Sequence, residues 1–571
     1  MDRNTELHFS QLPTIDISRC KLTKGHDHKT TFNTGDLIPL YVDDIVPGTT
    51  IKMRQSELVR MMTPIAPVLD NAYMDIYWFF TPNRLLWEHW VNFMGENDTA
   101  PWAMPANYEV PQITCPSGGW SKGSLADYFG LPTGVIGNGW KCNALPFRCY
   151  VKIWNEWFRD ENLKNPAYMS TGDSDTTGIN KGSSYDYVTD SECGAAPLKA
   201  AKLHDYFTSA LPSSQRGPSV QIPLGQEAPI RFGENYNDPT STNTDVKGNL
   251  AGVSGISNSN SDYASITAYD DNTQAVLRNK FNNQKGNALY VDLSEAVGAT
   301  VNQLRQSFAI QRFYERSARG GARYIETILS HFKVTNPDFR LQRPEYLGGK
   351  RVPINMNQVV QTDASGKASW YDSTIDPDTS QPIGWVTDDK TPQGNLAAYS
   401  ATSDSNEDLW TRSFTEHGIL MCVGVIRTDR TYQQGLNKMW SRKSLFDYYW
   451  PELANLAEMP VYNREIYLQG TSKDNEAFGY QEPWAEYRYK PSMITGELRS
   501  NYVQSLDIWH YADDYSSLPT LSSGWIDEPT ENVARTLAVQ THDQFMGDFY
   551  FAPIYTLPMP LYSVPGLIDH H

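Results

Sequence analysis

AYMDIYWFFTPNRLLWEHWVNFMGEN, residues 72–97, is the stretch that decides the fold of this chain. Its first half alternates with a period of two, so that one face carries Met74, Ile76, Trp78 and Phe80, and the other carries Tyr73, Asp75, Tyr77 and Phe79. Such alternation, rich in aromatic residues, predicts a strand. Because both faces are mostly apolar, we expect the strand to be covered on both sides, as inside a β-sandwich. Pro82 should end it, since proline has no N–H to donate to a neighbouring strand.

Other patterned segments predict a mainly β protein with a few helices. Strands are expected at Phe32–Val42, Thr49–Met53, Gly418–Ile426, Glu465–Leu468 and Asp548–Leu561, the last broken by Pro553. Apolar residues at helical spacing predict helices at 57–62, Arg148–Leu163, Ser294–Gly321, 324–329 and 444–458. The early and late strands should pair with each other, which makes one sandwich with long excursions rather than a row of separate domains.

Length and composition limit the class of protein. The chain has 571 residues, which predicts two or three domains, or one domain with large insertions. Aromatic residues make up 12% of the chain, a content that suits extensive interfaces as well as cores. The six cysteines include no CxxC pair, which indicates reduced thiols rather than a disulfide or zinc framework. No signal-peptide pattern and no apolar run of ~18 residues occurs, so we expect no membrane insertion.

The composition shifts sharply in the middle of the chain. Residues 226–287 are dominated by Asn, Ser, Thr, Gly and Asp, between two well-patterned regions. A surface insertion of short strands and turns fits this position, and such loops often carry recognition. The predicted organisation is an N-terminal arm at 1–31, a first β part at 32–225, the insertion at 226–287, and a second β part at 288–571.

The sequence contains no recognisable catalytic or metal-binding motif. HExxH, Walker A and EF-hand patterns are all absent from the chain. His26 and His28 have a spacing that could ligate a metal, but no third ligand lies nearby in the sequence. We therefore expect no enzyme, no cofactor and no metal.

One basic segment stands out in a chain whose net charge is −18. Between Thr300 and Arg351 there are ten Lys and Arg against four Asp and Glu, with Tyr314, Tyr324 and Phe339 interleaved. Arginine offers a planar fork for phosphate oxygens, and aromatic rings offer stacking faces for unpaired bases. Two interpretations stay open: a surface that faces nucleic acid, or arginines that pair with acids of a neighbouring subunit. The nucleic-acid candidates are Arg305, Arg312, Arg316, Arg319, Arg323, Arg340, Arg343, Lys350 and Arg351.

Five motifs resemble the major capsid protein of gokushoviruses, small single-stranded DNA phages of the Microviridae. They are TPNRLLWEHWVNFMGEN (81–97), YVKIWNEWFRDENL (150–163), LHDYFTSALP (203–212), ERSARGGARYIETILSHF (315–332) and LQRPEYLGG (341–349). They occur in order, and the longer ones are specific. This resemblance covers the chain from about residue 32 to the C-terminus.

The resemblance implies a structural role in a virion. It implies an eight-stranded viral jelly roll with long inter-strand loops, sixty copies of which form a T=1 icosahedral shell around circular single-stranded DNA. It implies that the insertion forms threefold protrusions that meet a host cell-surface receptor, with Tyr236, Asn258, Tyr263 and Tyr269 as candidate contacts. Minor structural, internal or scaffolding, and pilot proteins would be further partners, with assembly in the bacterial cytoplasm. We expect a basic inner face and an acidic outer one.

A second class of function fits part of the sequence. A jelly-roll carbohydrate-binding module would use the insertion as its site and would account for the aromatic loops, but it leaves the basic segment without a role. A soluble monomer that binds glycans and no DNA would favour this alternative.

Overall fold

A computed structural model describes most of the chain. The described residues are 18–97, 107–136, 139–182, 184–218, 220, 230–232, 266–267, 276–277, 289–291, 301–321, 323–354, 357–360, 370–375, 382–386, 396–403 and 408–562. The chain divides into two compact units: unit 1 comprises Met1–Ser214 and Ser317–His571, and unit 2 comprises Gln215–Arg316.

Strands outnumber helices in the described residues. The strands are β1 Cys20–Thr23, β2 His26–Phe32, β3 Ile38–Ile45, β4 Thr50–Met53, β5 Gln55–Met61, β6 Ala72–Pro82, β7 Gln112–Thr114, β8 Lys141–Asn143, β9 Thr176–Thr177, β10 Ile230–Phe232, β11 Ile266–Thr267, β12 Val276–Leu277, β13 Leu289–Val291, β14 Glu345–Pro353, β15 Asn357–Val360, β16 Trp370–Ile375, β17 Pro382–Val386, β18 Leu396–Ser403, β19 Trp410–Ser413, β20 Gly418–Thr428, β21 Thr431–Tyr432, β22 Met459–Tyr462, β23 Ala477–Gln481, β24 Ser492–Met493, β25 Phe545–Phe551 and β26 Ile554–Leu557. The α-helices are α1 Trp90–Phe93, α2 Leu125–Tyr128, α3 Leu145–Ile153, α4 Tyr187–Asp190, α5 Val301–Arg319, α6 Tyr324–Phe332, α7 Asn463–Ile466 and α8 Glu531–Ala534.

Unit 1 is built on three antiparallel sheets. Sheet I has the order β14-β6-β20-β3, sheet II the order β15-β18-β5-β25-β2, and sheet III the order β1-β26-β4-β19. Only Arg54 separates β4 from β5, and only Ala552 and Pro553 separate β25 from β26, so the chain passes directly between sheets II and III. Sheets II and III therefore form one layer opposite sheet I.

The strand predicted at the start of residues 72–97 is β6, near the centre of sheet I. It pairs with β20 along its whole length, from Ala72 opposite Thr428 to Pro82 opposite Gly418, and with β14 on its other edge. Its Met74, Ile76, Trp78 and Phe80 side chains pack in a core shared with sheets II and III. Phe79 faces the opposite way, into a second core. The prediction of a strand covered on both faces is confirmed.

The second core covers sheet I with the predicted aromatic helix. This helix is shorter than the expected Arg148–Leu163, because α3 runs from Leu145 to Ile153 and a π-helical turn, Trp154–Phe158, follows it. Pro146 lies in the first turn, where its fixed φ suits a helix start. The helix stops at Arg159, whose backbone is extended.

Early and late strands pair as predicted, because β4 pairs with β26 from Thr50 opposite Thr556 to Lys52 opposite Ile554. β2 pairs with β25 from His26 opposite Phe551 to Phe32 opposite Phe545, and β1 pairs with β26. The described pairing thus begins at Cys20, inside the segment expected to be an arm. The connection between β6 and β14 spans residues 83–344 and contains α1 to α6, so the expectation of a mainly β sandwich with long excursions is confirmed.

Three local predictions are wrong. Residues 57–61 of the helix expected at 57–62 lie in β5 instead. The buried positions of this strand include Gln55 and Glu57, and these polar residues hide the alternation from the sequence. Residues 465–468, expected as a strand, overlap α7, because the buried Glu465 accepts a hydrogen bond from the backbone N–H of Tyr462 and caps a helical turn. Residues 444–458, expected as helix-prone, form only 3-10 turns, at Leu445–Asp447 and Pro451–Leu453.

The predicted strand Phe32–Val42 is interrupted between β2 and β3. Gly35 adopts φ 81°, a left-handed conformation, and a Cβ at this position would lie 2.6 Å from the carbonyl oxygen of Glu528. Its N–H donates to the Ile426 carbonyl, which ties the turn to sheet I. Only glycine fits this turn without strain.

The helical prediction for 294–321 agrees with α5 at its C-terminal end, and the described helix begins at Val301. The second helix predicted at 324–329 is α6 and extends to Phe332. In unit 2, β10 pairs with β13 and β11 with β12, both antiparallel. No helix in the described ranges is long and apolar enough to cross a membrane.

Candidate nucleic-acid interface

The basic candidates are carried by α5, by the turn before α6, and by β14 with its preceding loop. α5 carries Arg305, Arg312, Arg316 and Arg319, and Arg323 precedes α6. Arg340 and Arg343 lie in the loop before β14, which itself carries Lys350 and Arg351. All of them from Arg319 onward belong to unit 1, whereas Arg305, Arg312 and Arg316 belong to unit 2.

Arg351 is held by a buried carboxylate of sheet I. Its Nε lies 2.6 Å from Asp75 Oδ1 and its Nη2 lies 2.8 Å from Asp75 Oδ2, and the hydrogen bonds to this carboxylate raise the Arg351 pKa. Arg427 of β20 donates to the same Asp75 Oδ2 at 3.0 Å. Asp75 is therefore shared by guanidinium groups from both strands that flank β6, and the three charges cross-link sheet I.

Lys350 and Arg343 also have carboxylate partners within unit 1. Lys350 Nζ lies 2.6 Å from Glu57 Oε2, which joins sheet I to sheet II. Arg343 Nε lies 2.9 Å from Asp338 Oδ1, and its guanidinium carbon lies 3.9 Å from the centroid of the Trp157 ring. A stacked, paired arginine of this kind packs as well as neutralises charge.

Arg319 and Arg323 have acidic neighbours from distant parts of the chain. Arg319 pairs with the buried carboxylate of Glu458. Arg323 Nη1 lies 2.9 Å from Glu161 Oε2 and 3.3 Å from Glu326 Oε1, and its Nη2 donates to two backbone carbonyls. Five of the nine candidates thus pair with acids of the same chain, an arrangement that neither open interpretation of the sequence included.

The remaining four candidates are exposed. Arg305, Arg312 and Arg316 of unit 2 and Arg340 of unit 1 all lie on the surface. None of these four guanidinium groups has a carboxylate within ion-pair distance among the described residues. They are the members of the set that have no acidic partner in the described part of the chain.

Unit 1 contains a cleft of about 530 Å³ beside the paired cations. Five of its lining residues are aromatic: Tyr77, Phe79, Trp157, Phe158 and Tyr346. Its charged and titratable lining residues are Arg159, Asp160, Glu161, Lys202, His204, Arg323, Glu326 and Arg427. Flat ring faces beside guanidinium groups can hold an unpaired base, although the carboxylates here offset the positive charge.

Three cations of this cleft were not among the sequence candidates because they lie outside residues 300–351. They are Arg159, Lys202 and Arg427. Burial, together with the nearby Arg323, lowers the pKa of Arg159. Burial also lowers the pKa of Lys202, against the opposing field of Asp513. Arg427 directly follows the predicted strand Gly418–Ile426, and this position at the end of a buried strand was the one available signal for it.

Two further sets of candidates came from the sequence: the receptor candidates of the insertion and the two histidines near the N-terminus. Tyr236, Asn258, Tyr263 and Tyr269 lie outside the described residues. His26 Nδ1 lies 3.1 Å from the Lys24 carbonyl and His28 Nδ1 lies 2.7 Å from the Leu40 carbonyl, so each imidazole has a backbone partner. Within the ranges that the structure covers, no cluster of three or more His, Cys, Asp and Glu could hold a metal ion.

Comparison with known proteins gives one consistent result. A family model described as capsid protein (F protein) matches residues 10–381 and 377–567. Capsid protein VP1 of Bdellovibrio phage phiMH2K is 38% identical over 568 residues, covering 99% of this chain and 98% of the relative. Capsid protein VP1 of Chlamydia phage 1 is 38% identical over 98% of this chain and 97% of the relative. Capsid protein VP1 of Spiroplasma virus 4 is 40% identical over 99% of this chain and 98% of the relative.

The mainly β sandwich and these matches define a structural phage protein rather than an enzyme. The chain belongs to the capsid protein (F protein) family. The resemblance to gokushovirus major capsid proteins is confirmed.

Proposed function

We propose that this chain is the subunit of a T=1 icosahedral shell, in which sixty copies enclose a circular single-stranded DNA genome. The observation that carries the proposal is the family match, which extends over nearly the whole chain and includes both halves of the sandwich. We assign the sandwich to the eight-stranded viral jelly-roll class. Its antiparallel layers and its long connection between β6 and β14 support this assignment.

Contact with the genome is assigned first to the exposed cations. Arg305, Arg312, Arg316 and Arg340 carry charges that no described carboxylate neutralises, so a phosphate can approach them without displacing any acid of the described ranges. Each of the five paired cations would have to give up a carboxylate to bind phosphate. The affinity of the exposed set for DNA should fall as the salt concentration rises, because released counterions drive phosphate binding.

Attachment to cells is assigned to residues 226–287. Their polar composition, in the middle of a sequence that is otherwise strongly patterned, supports a surface role. We propose that this segment forms protrusions at the threefold axes and meets a receptor on the host, with Tyr236, Asn258, Tyr263 and Tyr269 as contacts. Minor structural, scaffolding and pilot proteins would be further partners. The shell would assemble in the host cytoplasm and become part of the virion.

The genome role is tested by charge reversal with a matched control. Arg312→Glu/Arg316→Glu should permit shells, seen by electron microscopy, but lower their DNA content, read as the ratio of absorbance at 260 and 280 nm. Lys122 is 75% exposed in its side chain and lies outside the basic segment, so Lys122→Glu reverses one charge elsewhere and is the control for Arg312→Glu and Arg316→Glu taken singly. Full packaging by the double variant would refute the assignment of these arginines to the genome.

The attachment role has a separate test. A chain that lacks residues 226–287 should still form shells, because both layers of the sandwich lie outside this range. Particles of this variant should adsorb to host cells far less than wild-type particles, measured as unadsorbed titre or labelled particles left in the supernatant. Unchanged adsorption would refute the receptor role without touching the shell role.

A further inference from the structure

One surface segment of unit 1 exposes an unusual amount of aromatic side chain. We call residues 438–456 the aromatic segment. Trp440 is 71% exposed and Phe446 69% exposed, although side chains of this kind normally lie in cores. Eight large apolar residues in the segment are each more than 40% exposed: Met439, Trp440, Leu445, Phe446, Tyr448, Tyr449, Trp450 and Leu456.

The exposure does not come from a loosely held loop. Asn437 accepts a hydrogen bond from the Met439 N–H and caps the 3-10 turn Lys438–Ser441. The Asp447 carboxylate accepts hydrogen bonds from the N–H groups of Lys443 and Ser444, and these bonds lower its pKa. The Trp484 indole N–H donates to the Leu453 carbonyl at 2.9 Å. The backbone is therefore fixed, and the rings are presented outward on a rigid frame.

The area of this surface is that of a specific protein interface. Eight such side chains, each exposing about half of a ring-sized surface, offer roughly 800 Å² of apolar area. The largest apolar patch on a typical monomer is only ~300–600 Å². About 800 Å² per partner is what a stable interface between two proteins buries.

The charge of the aromatic segment favours a protein partner over DNA. The segment contains three cations and two acids, a net charge of +1. Lys438 and Arg442 both pair with Glu486, at 3.8 and 3.3 Å, and the Arg442 guanidinium lies over the Tyr487 ring at 4.2 Å. Little free positive charge remains for phosphate. A surface that is nearly neutral is also where two copies of a chain with net charge −18 can meet without strong repulsion.

We propose that the aromatic segment is the contact surface for a second copy of this chain, with Trp440 and Phe446 as its central anchors. This inference rests on the proposed shell function, which requires each copy to bury large areas against its neighbours. Exposed tryptophan and phenylalanine on a rigid frame lose little conformational entropy on association and bury much area. Such residues dominate binding when they become buried at an interface.

Site-specific photo-cross-linking identifies the occupant directly. A photoreactive phenylalanine derivative replaces Phe446 in the full chain, which is produced together with the other phage proteins and illuminated after particles have been purified. We expect a product of twice the subunit mass that contains only peptides of this chain. A product that contains DNA, or a smaller phage protein without a chain-to-chain product, would overturn the proposal.

Truncation of the two anchor side chains, Trp440 and Phe446, tests how much each of them contributes to assembly. Trp440→Ser and Phe446→Ser should each raise the subunit concentration needed for half-assembly by about tenfold or more. The same subunits should keep their thermal unfolding temperature, because both side chains are already mostly exposed. Ile136 is 77% exposed and lies outside the aromatic segment, so Ile136→Ser is the matched control. Assembly equal to that of the control would overturn the proposal.

The two proposals fail in different ways. If the chain labelled at position 446 gives the chain-to-chain product but electron microscopy of its assemblies shows no closed shell, the contact stands and the shell function is refuted. If the wild-type chain gives shells while both truncated variants assemble normally, the shell function stands and the role of the aromatic segment is refuted.

Discussion

Removing the Asp75 carboxylate should destabilise unit 1 more than removing any one exposed charge. The Asp75 side chain is 2% exposed and lies between Arg351 and Arg427, with nitrogen–oxygen distances of 2.6 to 3.0 Å. In Asp75→Ala the Arg351 side chain, which is 45% exposed, can turn towards water. The Arg427 side chain is only 7% exposed and cannot. The variant therefore leaves one buried guanidinium without its carboxylate.

The expected magnitude follows from this geometry. Removing one partner of a buried ion pair costs about 3–5 kcal/mol, mostly because the other charge stays buried. Removing the half-exposed Arg351 leaves Asp75 paired with Arg427, so Arg351→Ala should cost about 1 kcal/mol, as for other solvent-screened pairs. The free energy of unfolding should thus fall several times more for Asp75→Ala than for Arg351→Ala.

Urea unfolding of the isolated subunit, followed by tryptophan fluorescence, measures both effects. A third variant, Asp75→Leu/Arg427→Leu, removes the buried pair together and should recover much of the loss, since an apolar pair of similar volume needs no compensation. The reasoning fails if Asp75→Ala costs no more than Arg351→Ala. It also fails if the double variant is less stable than Asp75→Ala by the full cost of a second lost charge.

Two further predictions concern titratable groups. Burial raises the pKa of Asp513, but Lys202 and Arg430 outweigh it and hold that pKa below its ordinary value. The carboxylate therefore adds stability above its unfolded pKa of about 3.9, and this stability is lost as the pH falls further. The urea midpoint of the wild type should drop more steeply between pH 5 and 3 than the urea midpoint of Asp513→Asn. Equal slopes for the two proteins would contradict this prediction. All six cysteines are free, and burial raises the pKa of Cys142 and Cys193 to about 11. A thiol reagent at pH 7 should therefore react slowly with the native subunit and rapidly with all six thiols in urea. Fast labelling of the native subunit would contradict this prediction.

The strands that form the centre of the sandwich were predictable because their pattern is local. The alternation in β6 and the apolar run in β20 need no partner to be recognised, and both strands have the expected positions. Pairing between early and late strands was also predicted, and the pairing of β4 with β26 confirms it. One error arose where a polar residue is buried by a partner far away in sequence. Glu57 is buried in β5 because Lys350 neutralises it, and no window around residue 57 contains that information.

The same limitation governs the basic segment, and it changes what its charge can do. A surplus of cations between Thr300 and Arg351 indicates an anionic partner, but the sequence cannot show whether that partner is external. For Arg351, a phosphate would have to compete with Asp75, and a displaced Asp75 would be a buried carboxylate that keeps only Arg427. The free energy of that exchange is unfavourable unless the phosphate contact exceeds the pair it breaks. We therefore expect Arg351 to act mainly by holding β14 to β6, while DNA affinity and its salt dependence follow the exposed Arg312 and Arg316.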